Sequence, residues 1–300
     1  RKLNINKFYL AHSYERVMPG NEYFDSIINY WRVYAGINQK SANKCEVFLS
    51  QVINIADYPL TCLSNTTASE TGKLLENSYR AVNIAFIEEW GRFAEDTGID
   101  LYEVIDAIRK RPTHTNIRQP GFGVGGYCLT KDALLASWAR QNLTGKNGPL
   151  QQSETAININ DQMPRYAFEF LQHHYGRLAN TNVLLLGVSY RGDVGDTRYT
   201  PVENLYNFLT AAGSKVSCHD PYVKYWEELS LSIDQNLATH LQNLPEIVII
   251  STGHTLYRCK ETVVILKELQ PSFIYDTIGL LSNDQILMLK EKHTVKVLGR

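Results

Sequence analysis

A long helical pattern fills residues 66–97 and organises the middle of the chain. Strong helix formers dominate the pattern, no proline interrupts it, and Gly98 follows it as a typical C-terminal stop. Gly72 is a mild helix penalty within it. The sequence therefore predicts one long helix over these residues.

Three more helical patterns follow and make the middle third nearly all helical. Asp100 is a typical N-cap for the first of them, and Pro112 ends it. Pro164 marks a kink or a restart within the last one. The three predicted helices cover residues 100–111, 131–141 and 151–178.

The two flanks of this helical region have α/β patterns. The first flank has the pattern of the end of an α/β unit, with strands at 8–11 and 61–63, a loop at 13–21 and a helix at 44–54. In the second flank strands alternate with helices, which predicts a parallel, doubly wound sheet. Its strands are expected at 183–188, 215–219, 246–251, 272–276 and 294–298, and its helices at 201–212, 261–269 and 283–291. The predicted domains are 1–63, 64–179 and 180–300.

Composition excludes several classes of partner. A net charge of −1 offers no basic excess for nucleic acid or for an acidic membrane surface. Five scattered cysteines form no CxxC pair, which argues against a metal site or a disulfide framework and favours a reducing cytoplasm. The sequence has no apolar run of transmembrane length and no signal-peptide pattern. We expect a cytoplasmic protein that binds neither nucleic acid nor membrane.

The run from Gly121 to Asp132 is the most informative segment for function. It places Cys128 at the end of a glycine-rich loop, beside Lys131. Glycines let backbone N–H groups approach a ligand closely, and a nearby cation favours the nucleophilic thiolate. The run indicates covalent catalysis by Cys128. The alternative is a flexible loop followed by a helix that carries an ordinary buried cysteine.

Three polar side chains elsewhere are further candidates. Lys73 and Asn77 lie four residues apart on the predicted long helix, so they share a face. A lysine can hold developing negative charge, and an amide can orient a substrate or a water. Glu15, in a loop just after a predicted strand, is a candidate general base. All three also fit solvated surface positions.

The segment 187–198 follows a predicted strand and precedes a helix, where phosphate-binding loops commonly lie. It lacks the G-x-G-x-x-G pattern, so it is not a dinucleotide fingerprint. Arg191 and Arg198 could still hold a diphosphate by charge-assisted hydrogen bonds. A surface turn with solvated charges is the alternative.

Four motifs, taken in order, resemble those of the UDP-glucose/GDP-mannose dehydrogenase family. Residues 13–20 are similar to the family's Ser-Pro-Glu-Arg-x-x-Pro-Gly, with Tyr14 in place of the proline. The other three are similar to the central-helix signature, the catalytic loop and the loop of the UDP-binding domain, at residues 73–85, 119–128 and 190–201. Members of this family oxidise the 6-hydroxymethyl group of a nucleotide sugar to a carboxylate.

The resemblance implies a mechanism and a role for each catalytic candidate. After NAD has taken a first hydride from C6, Cys128 would attack the aldehyde to form a thiohemiacetal, and a second oxidation would leave a thioester for water to hydrolyse. Lys73 would stabilise the oxyanion, while Asn77 and Asp132 would position water or substrate. Glu15 would be the acid/base of thioester hydrolysis.

The resemblance also implies ligand contacts. The expected substrate-binding residues are Gln119, Gly121, Phe122, Gly123, Gly125, Tyr190, Arg191 and Arg111, the last reaching into a partner's site. Lys131 and Arg198 are expected to face NAD. The implied architecture is the remnant of a Rossmann-like NAD-binding domain, a central all-helical catalytic and dimerisation domain, and a Rossmann-like UDP-binding domain. A homodimer is expected through Ile84, Phe86, Ile87 and Trp90 of the long helix.

Departures from the family pattern leave the substrate open between UDP-hexoses and UDP-N-acetylhexosamines. Tyr127 stands where several branches carry histidine, residues 129–132 are closer to the UDP-glucose branch, and residues 116–120 are closer to the N-acetylmannosamine branch. The family's N-terminal G-x-G-x-x-G is missing, so we expect an incomplete enzyme that is inactive alone. The alternatives are a 3-hydroxyacid or 6-phosphogluconate type of dehydrogenase and a non-catalytic UDP-sugar binding module.

Overall fold

The computed structural model describes residues 8–18, 20 and 22–300. The predicted α/β class is confirmed: a helical middle region is followed by a parallel five-stranded sheet. Residues 1–7 of the first predicted domain, and Pro19 and Asn21 of the predicted loop, lie outside the described residues.

The first region is a three-stranded sheet with two helices. Its strands lie in the order β1, β2, β3, with β1 antiparallel and β3 parallel to β2. The elements are β1 (Ala11–Ser13), α1 (Tyr23–Ile28), β2 (Val33–Gly36), α2 (Gln39–Leu49) and β3 (Thr61–Cys62).

Three expectations for this region differ from the structure. The first strand lies at residues 11–13 instead of 8–11, because it pairs with β2, which the sequence reading missed together with α1. The predicted helix 44–54 begins and ends five residues earlier. Asn38 is its N-cap, since the Asn38 side chain accepts a hydrogen bond of 2.9 Å from the backbone N–H of Ser41.

The middle region is helical, as predicted. Its helices are α3 (Thr66–Thr97), α4 (Leu101–Arg109), α5 (Asp132–Thr144) and α6 (Gln151–Tyr175), and α3 packs against both α5 and α6. The bounds of α3 agree with the prediction, and Asn65 caps it by accepting a bond from Ala68 N. Asp100 caps α4 as expected, because its carboxylate accepts bonds from the first-turn amides.

Of the two alternatives predicted at Pro164, a kink or a restart, the restart is wrong, because α6 continues through this residue to Tyr175. Proline has no N–H, so Pro164 cannot donate to the carbonyl oxygen of Asn160 one turn earlier. That oxygen lies 2.6 Å from where a Cβ on Gly123 would sit. The proline thus removes the usual helical donor to this carbonyl, at the place where the glycine loop passes.

The last region is a parallel sheet in the order β10-β9-β8-β4-β5. Its strands are β4 (Asn182–Leu186), β5 (Lys215–His219), β8 (Ile247–Ile250), β9 (Phe273–Asp276) and β10 (Thr294–Val297). A short hairpin, β6 (Tyr225–Trp226) with β7 (Leu231–Ser232), interrupts the crossover after β5. The helices are α7 (Pro201–Ala211), α8 (Leu237–Gln242), α9 (Thr255–Arg258), α10 (Lys260–Glu268) and α11 (Asn283–Lys290). The hairpin, α8 and α9 were not predicted.

Both faces of this sheet are covered, as its sequence requires. Alternate residues of β4 point into two different apolar cores, Val183 and Leu185 into one, Leu184 and Leu186 into the other. The strand order reverses at β4, whose neighbours are β5 and β8. Ligands of open α/β sheets bind at such a switch point, outside the carboxyl ends of the strands.

A close packing of backbone joins the helical region to the sheet. A Cβ added to Gly91 of α3 would lie 3.1 Å from Pro120, and one added to Gly299 would lie 2.8 Å from the same proline. The backbone N–H of Leu101 donates to the carbonyl of Gly299 at 2.9 Å. These contacts fix the glycine loop between α3 and the parallel sheet.

Candidate active site

Cys128 lies in the turn that leads into α5. Its carbonyl oxygen accepts a 3.0 Å hydrogen bond from the backbone N–H of Asp132, the first residue of that helix. The thiol is free and its residue is exposed, so it is open to a ligand. This arrangement excludes the reading of Cys128 as an ordinary buried cysteine.

Asp132 is the centre of a polar network beside the cysteine. Asn77 Nδ2 donates to Asp132 Oδ2 at 2.6 Å, and Lys131 Nζ donates to Asp132 Oδ1 at 3.0 Å. Each carboxylate oxygen of Asp132 thus accepts a hydrogen bond, and the residue is only 4% exposed. The hydrogen bond that Lys131 donates to Asp132 is the main cause that raises the pKa of Lys131. The network connects α3 to the first turn of α5.

Lys73, one helical turn before Asn77 on α3, meets Glu15. Lys73 Nζ donates to the backbone oxygen of Glu15 at 3.1 Å, and its distance to the Glu15 carboxylate is 3.9 Å. Tyr14, which replaces the family's proline, packs its ring 3.3 Å from where a Cβ on Gly72 would sit. Gly72 therefore has a packing role in α3, because it leaves room for Tyr14.

A buried glutamate on α3, which sequence reasoning missed, is hydrogen-bonded to the glycine loop. Glu88 of α3 is fully buried, and its Oε1 accepts a 3.1 Å hydrogen bond from the backbone N–H of Gly123. Its Oε2 has no hydrogen-bond partner among the described residues. Burial raises the pKa of Glu88 well above its ordinary value of 4.5, although the bond from Gly123 and the charge of Arg92 oppose this.

The glycine loop also packs, through Gly125 and Gly126, against the segment that follows β4. A Cβ on Gly125 would lie 2.4 Å from Tyr190 Cβ, so only glycine fits this approach. The backbone N–H of Gly126 donates to the carbonyl of Arg198 at 3.1 Å. Burial is the main cause that raises the pKa of Tyr190, and Asp196 and Cys128 add to it. The cysteine loop and the predicted nucleotide loop therefore form one surface.

The remaining predicted contacts vary in exposure. Gln119, Arg191 and Arg111 are exposed, and a Cβ on Gly121 would meet no atom within 4 Å. Phe122 is 3% exposed and belongs to the main apolar core, so only its backbone is available to a ligand. These ligand contacts stay predictions.

The two residues expected to face NAD are both paired. Lys131 is bonded to Asp132, and Arg198 is bonded to both carboxylate oxygens of Asp196 at 2.9 and 2.7 Å. Lys131 also lines a cavity of about 450 Å³ beside the glycine loop, together with Tyr199 and Asp161. Across the described part of the chain, no strand–turn–helix carries the glycine fingerprint of a dinucleotide site. The described residues therefore do not fit a complete NAD site, and the NAD contacts of Lys131 and Arg198 stay predictions.

Two buried residues of the parallel sheet were also missed. They are Asp220, directly after β5, and His254, after β8, and both are fully buried. From the sequence, Asp220 is expected to be an ordinary exit from its strand. His254 Nε2 lies 3.0 Å from Asp220 Oδ2. The Asp-Pro pair at a strand end was the available signal for Asp220, whereas no local pattern marks His254.

This chain belongs to the UDP-glucose/GDP-mannose dehydrogenase family. Residues 67–162 match the model of the family's central domain, and residues 184–283 match that of its UDP binding domain. The two matches fall on the helical region and on the parallel sheet, and together they cover more than half of the chain.

Individual relatives agree with this family assignment. A UDP-N-acetyl-D-mannosamine dehydrogenase of Methanocaldococcus jannaschii is 31% identical over 300 residues, 98% of this chain and 64% of that protein. One of Methanococcus maripaludis is 30% identical over 98% of this chain and 65% of that protein. The structure of the UDP-D-ManNAc dehydrogenase of Pyrococcus horikoshii aligns with a TM-score of 0.81 at 27% identity, covering 98% of this chain and 65% of that one. The chain thus spans less than two thirds of the length of these relatives.

No helix among the described residues is long and apolar enough to cross a membrane.

Proposed function

We propose that this protein carries the thiol, the substrate site and the dimer surface of an NAD-dependent UDP-sugar 6-dehydrogenase. UDP-N-acetyl-D-mannosamine is the substrate favoured by the names of the relatives. The observation that carries the proposal is the buried Asp132, held by Asn77 and Lys131 one turn from the exposed Cys128 thiol. This arrangement provides a nucleophile with fixed polar groups around it.

The thiol of Cys128 acts between two oxidations of the same carbon. After C6 of the sugar has lost one hydride and one proton, the sulfur adds to the aldehyde, and the oxyanion so formed takes up a proton. Loss of a second hydride and that proton leaves a thioester. Water then attacks the thioester, which releases the carboxylate and returns the thiol.

Other side chains of this chain stabilise these steps. The Lys73 ammonium, on the same face of α3 as Asn77, stabilises the oxyanion on C6. Asn77 and Asp132 orient the substrate hydroxyl or the hydrolytic water. Glu15, 3.9 Å from Lys73, accepts the proton of that water during hydrolysis.

NAD supplies the hydride acceptor for both oxidations when it is bound. Lys131 and Arg198 would lie on its flank, provided that their present carboxylate partners share them with phosphate oxygens. The described residues lack the rest of an NAD site, so we propose that turnover needs a Rossmann domain in addition to them. The 300 residues alone are expected to be inactive.

The nucleotide of the substrate binds at the switch point of the parallel sheet. Tyr190 and Arg191 follow β4 there, and Tyr190 packs directly on Gly125 of the cysteine loop. A UDP group against this segment would place its sugar over the backbone of residues 119–125, close to the thiol. Arg111, exposed at the end of α4, is proposed to reach the site of a partner subunit.

A homodimer through α3 is supported by exposed aromatic side chains on that helix. Three aromatic side chains on this helix are each about half exposed: Phe86, Trp90 and Phe93. The ring centroid of Trp90 lies 6.3 Å from that of Phe86 and 5.4 Å from that of Phe93. Ile87, which was expected in the same seam, is instead buried inside the chain against Leu101 and Ile105. Phe93 takes its place in the proposed seam. We also propose a cytoplasmic location, where reducing conditions keep the five cysteines free.

The test is turnover of the complete gene product with NAD and a panel of UDP- and GDP-sugars. We expect two NADH per sugar and the highest kcat/KM with UDP-N-acetyl-D-mannosamine. NADH without uronate would favour the 3-hydroxyacid or 6-phosphogluconate type of dehydrogenase. UDP binding without any turnover would leave only a sugar-nucleotide binding module. Steady NADH production by the 300 residues alone would contradict the proposed need for a further Rossmann domain.

A further inference from the structure

Asp220 occupies the position at which many dinucleotide-binding folds place a ribose-binding carboxylate, the end of the second strand of the sheet. Here it cannot contact a ribose, because it is fully buried and six donors surround it. Val188 N, Ser189 N and Ser189 Oγ donate to its Oδ2 at 2.9, 3.1 and 2.9 Å. Burial opposes the charged form, but hydrogen bonds from His254 and from backbone amides outweigh it and lower the pKa of Asp220. The carboxylate therefore serves the segment that follows β4.

His254 extends this network to the far end of the same segment. Asp193 N–H donates to His254 Nδ1 at 2.9 Å, so Nδ1 is an acceptor and the ring proton lies on Nε2. Nε2 then donates to Asp220 Oδ2 at 3.0 Å. One imidazole thus connects Asp193 to the end of β5.

Asp193 is held in a conformation that needs such support. Its backbone φ of 58° lies in the left-handed region, which is unfavourable for residues other than glycine. Its carboxylate accepts bonds from the Thr255 N–H and hydroxyl at 2.9 and 2.7 Å. A Cβ on the preceding Gly192 would lie 2.1 Å from the carbonyl oxygen of Gly253. The strained turn therefore fits tightly against the loop after β8.

The held segment contains the residues proposed to contact the nucleotide. Tyr190 N donates to Asp196 O at 3.0 Å, and Thr252 Oγ1 donates to Ser189 O at 2.6 Å. Tyr190 and Arg191 therefore lie between two anchored ends, and Tyr190 in turn packs on Gly125 of the cysteine loop.

We infer that His254 is a positioning residue for the UDP site: with Asp220 it fixes the turn at Asp193 and thereby sets where Tyr190 and Arg191 meet the nucleotide. This inference rests on the proposed function, since it names what holds that same nucleotide segment. His254 is itself fully buried, so it acts through the backbone and does not touch the ligand.

The experiment is calorimetric titration of UDP onto the 300-residue chain, which needs no cofactor. In His254→Gln the amide nitrogen can still reach Asp220, but the amide oxygen does not occupy the position of Nδ1, which accepts the Asp193 N–H. The matched control is His240→Gln, because His240 is also buried in this domain and bonds to Asp234 O at 2.8 Å, outside the nucleotide segment. Thr252→Val is a second variant that removes a single hydroxyl anchor with little change of volume. Circular dichroism verifies folding at the assay temperature.

We expect the dissociation constant for UDP to rise about tenfold in His254→Gln and about threefold in Thr252→Val, since a misplaced binding segment loses contact energy. His240→Gln should bind as the unaltered chain does. If both His254→Gln and Thr252→Val bind UDP as tightly as the unaltered chain does, the inference is wrong. It is also wrong if His240→Gln loses as much UDP affinity as His254→Gln. If His254→Gln does not fold, Thr252→Val decides alone. Absence of UDP binding by the unaltered chain would instead refute the proposed function, and this inference with it.

Discussion

Asn77 donates a 2.6 Å hydrogen bond from its Nδ2 to Oδ2 of Asp132, and so joins the long helix to the helix that begins after the cysteine. Because Asp132 is almost fully buried, this bond is screened little by water. It fixes the polar groups of α3 relative to the turn that carries Cys128.

Asp132→Asn is expected to lower kcat about 100-fold, because it removes the charge that holds Lys131 and the acceptor aligned with Asn77. Loss of the buried charge-assisted bonds should also cost about 1–3 kcal/mol of unfolding free energy. Rapid-quench kinetics of the complete gene product measure kcat, and thermal unfolding measures the loss of stability. The control is Glu169→Gln, which breaks an exposed pair with Arg165 and should change neither quantity. An Asp132→Asn enzyme with normal kcat would contradict the assigned role.

Gly123→Ala is expected to destabilise the chain by about 2–4 kcal/mol, because the φ of 98° and the Asn160 carbonyl at 2.6 Å both oppose a Cβ. Gly121→Ala in the same loop is the matched control. Its Cβ would meet nothing within 4 Å, so stability should change by less than about 0.5 kcal/mol. Urea unfolding of both variants measures the difference, and similar midpoints would be inconsistent with the packing described for this loop.

Glu88→Gln is expected to change how stability depends on pH. Above pH 4.5 the unfolded chain releases this proton while the folded chain keeps it, so the folded state binds more protons and loses stability as the pH rises. The variant does not ionise and keeps an acceptor for the Gly123 N–H. Its stability relative to the native chain should therefore grow by up to about 1.4 kcal/mol per pH unit, from pH 4.5 towards the raised pKa. Unfolding curves between pH 4.5 and 8 test this. A pH-independent difference would show that Glu88 is ionised when folded.

If the proposed dimer forms, Trp90→Glu is expected to convert it into a monomer, because the variant places a charge in the exposed aromatic series on α3. Leu287→Glu on α11 is the control, since Leu287 is 65% exposed and far from α3 along the chain. Light scattering at micromolar concentration gives the mass of each. If the Trp90 variant remains dimeric, the proposed seam is wrong.

The sequence predicts best where local signals decide the structure. The bounds of α3 and the cap at Asp100 follow from helix formers, a glycine stop and a short acidic side chain. The position of β1 depends on pairing with β2, a partner 20 residues away, and the residues around each strand do not reveal it. Long-range pairing of this kind has no local pattern.

The candidate site divides in the same way. Five candidate residues could be selected from motifs: Cys128, Lys73, Asn77, Asp132 and Glu15. In the structure Asp132 bonds to Asn77 and to the backbone of Cys128, and Lys73 bonds to Glu15. Glu88 was not selected: it lies on the face of α3 that buries Ala81 and Ala85, but a glutamate on such a face is rarely buried, so only the fold shows that this one is. His254 needs the fold as well, since its partners Asp193 and Asp220 lie 61 and 34 residues away.

The direct test of the account is a 13C NMR spectrum of the 6-aldehyde of UDP-N-acetyl-D-mannosamine, labelled at C6 and bound to the 300-residue chain. Addition of the thiol needs no cofactor, so the unaltered chain should give a resonance of a carbon bonded to sulfur. Cys128→Ala should give only the free aldehyde and its hydrate, whereas Cys62→Ala, which alters another exposed cysteine, should match the unaltered chain. The same sulfur-bonded resonance in Cys128→Ala, or its absence from the unaltered chain, would contradict covalent catalysis by Cys128.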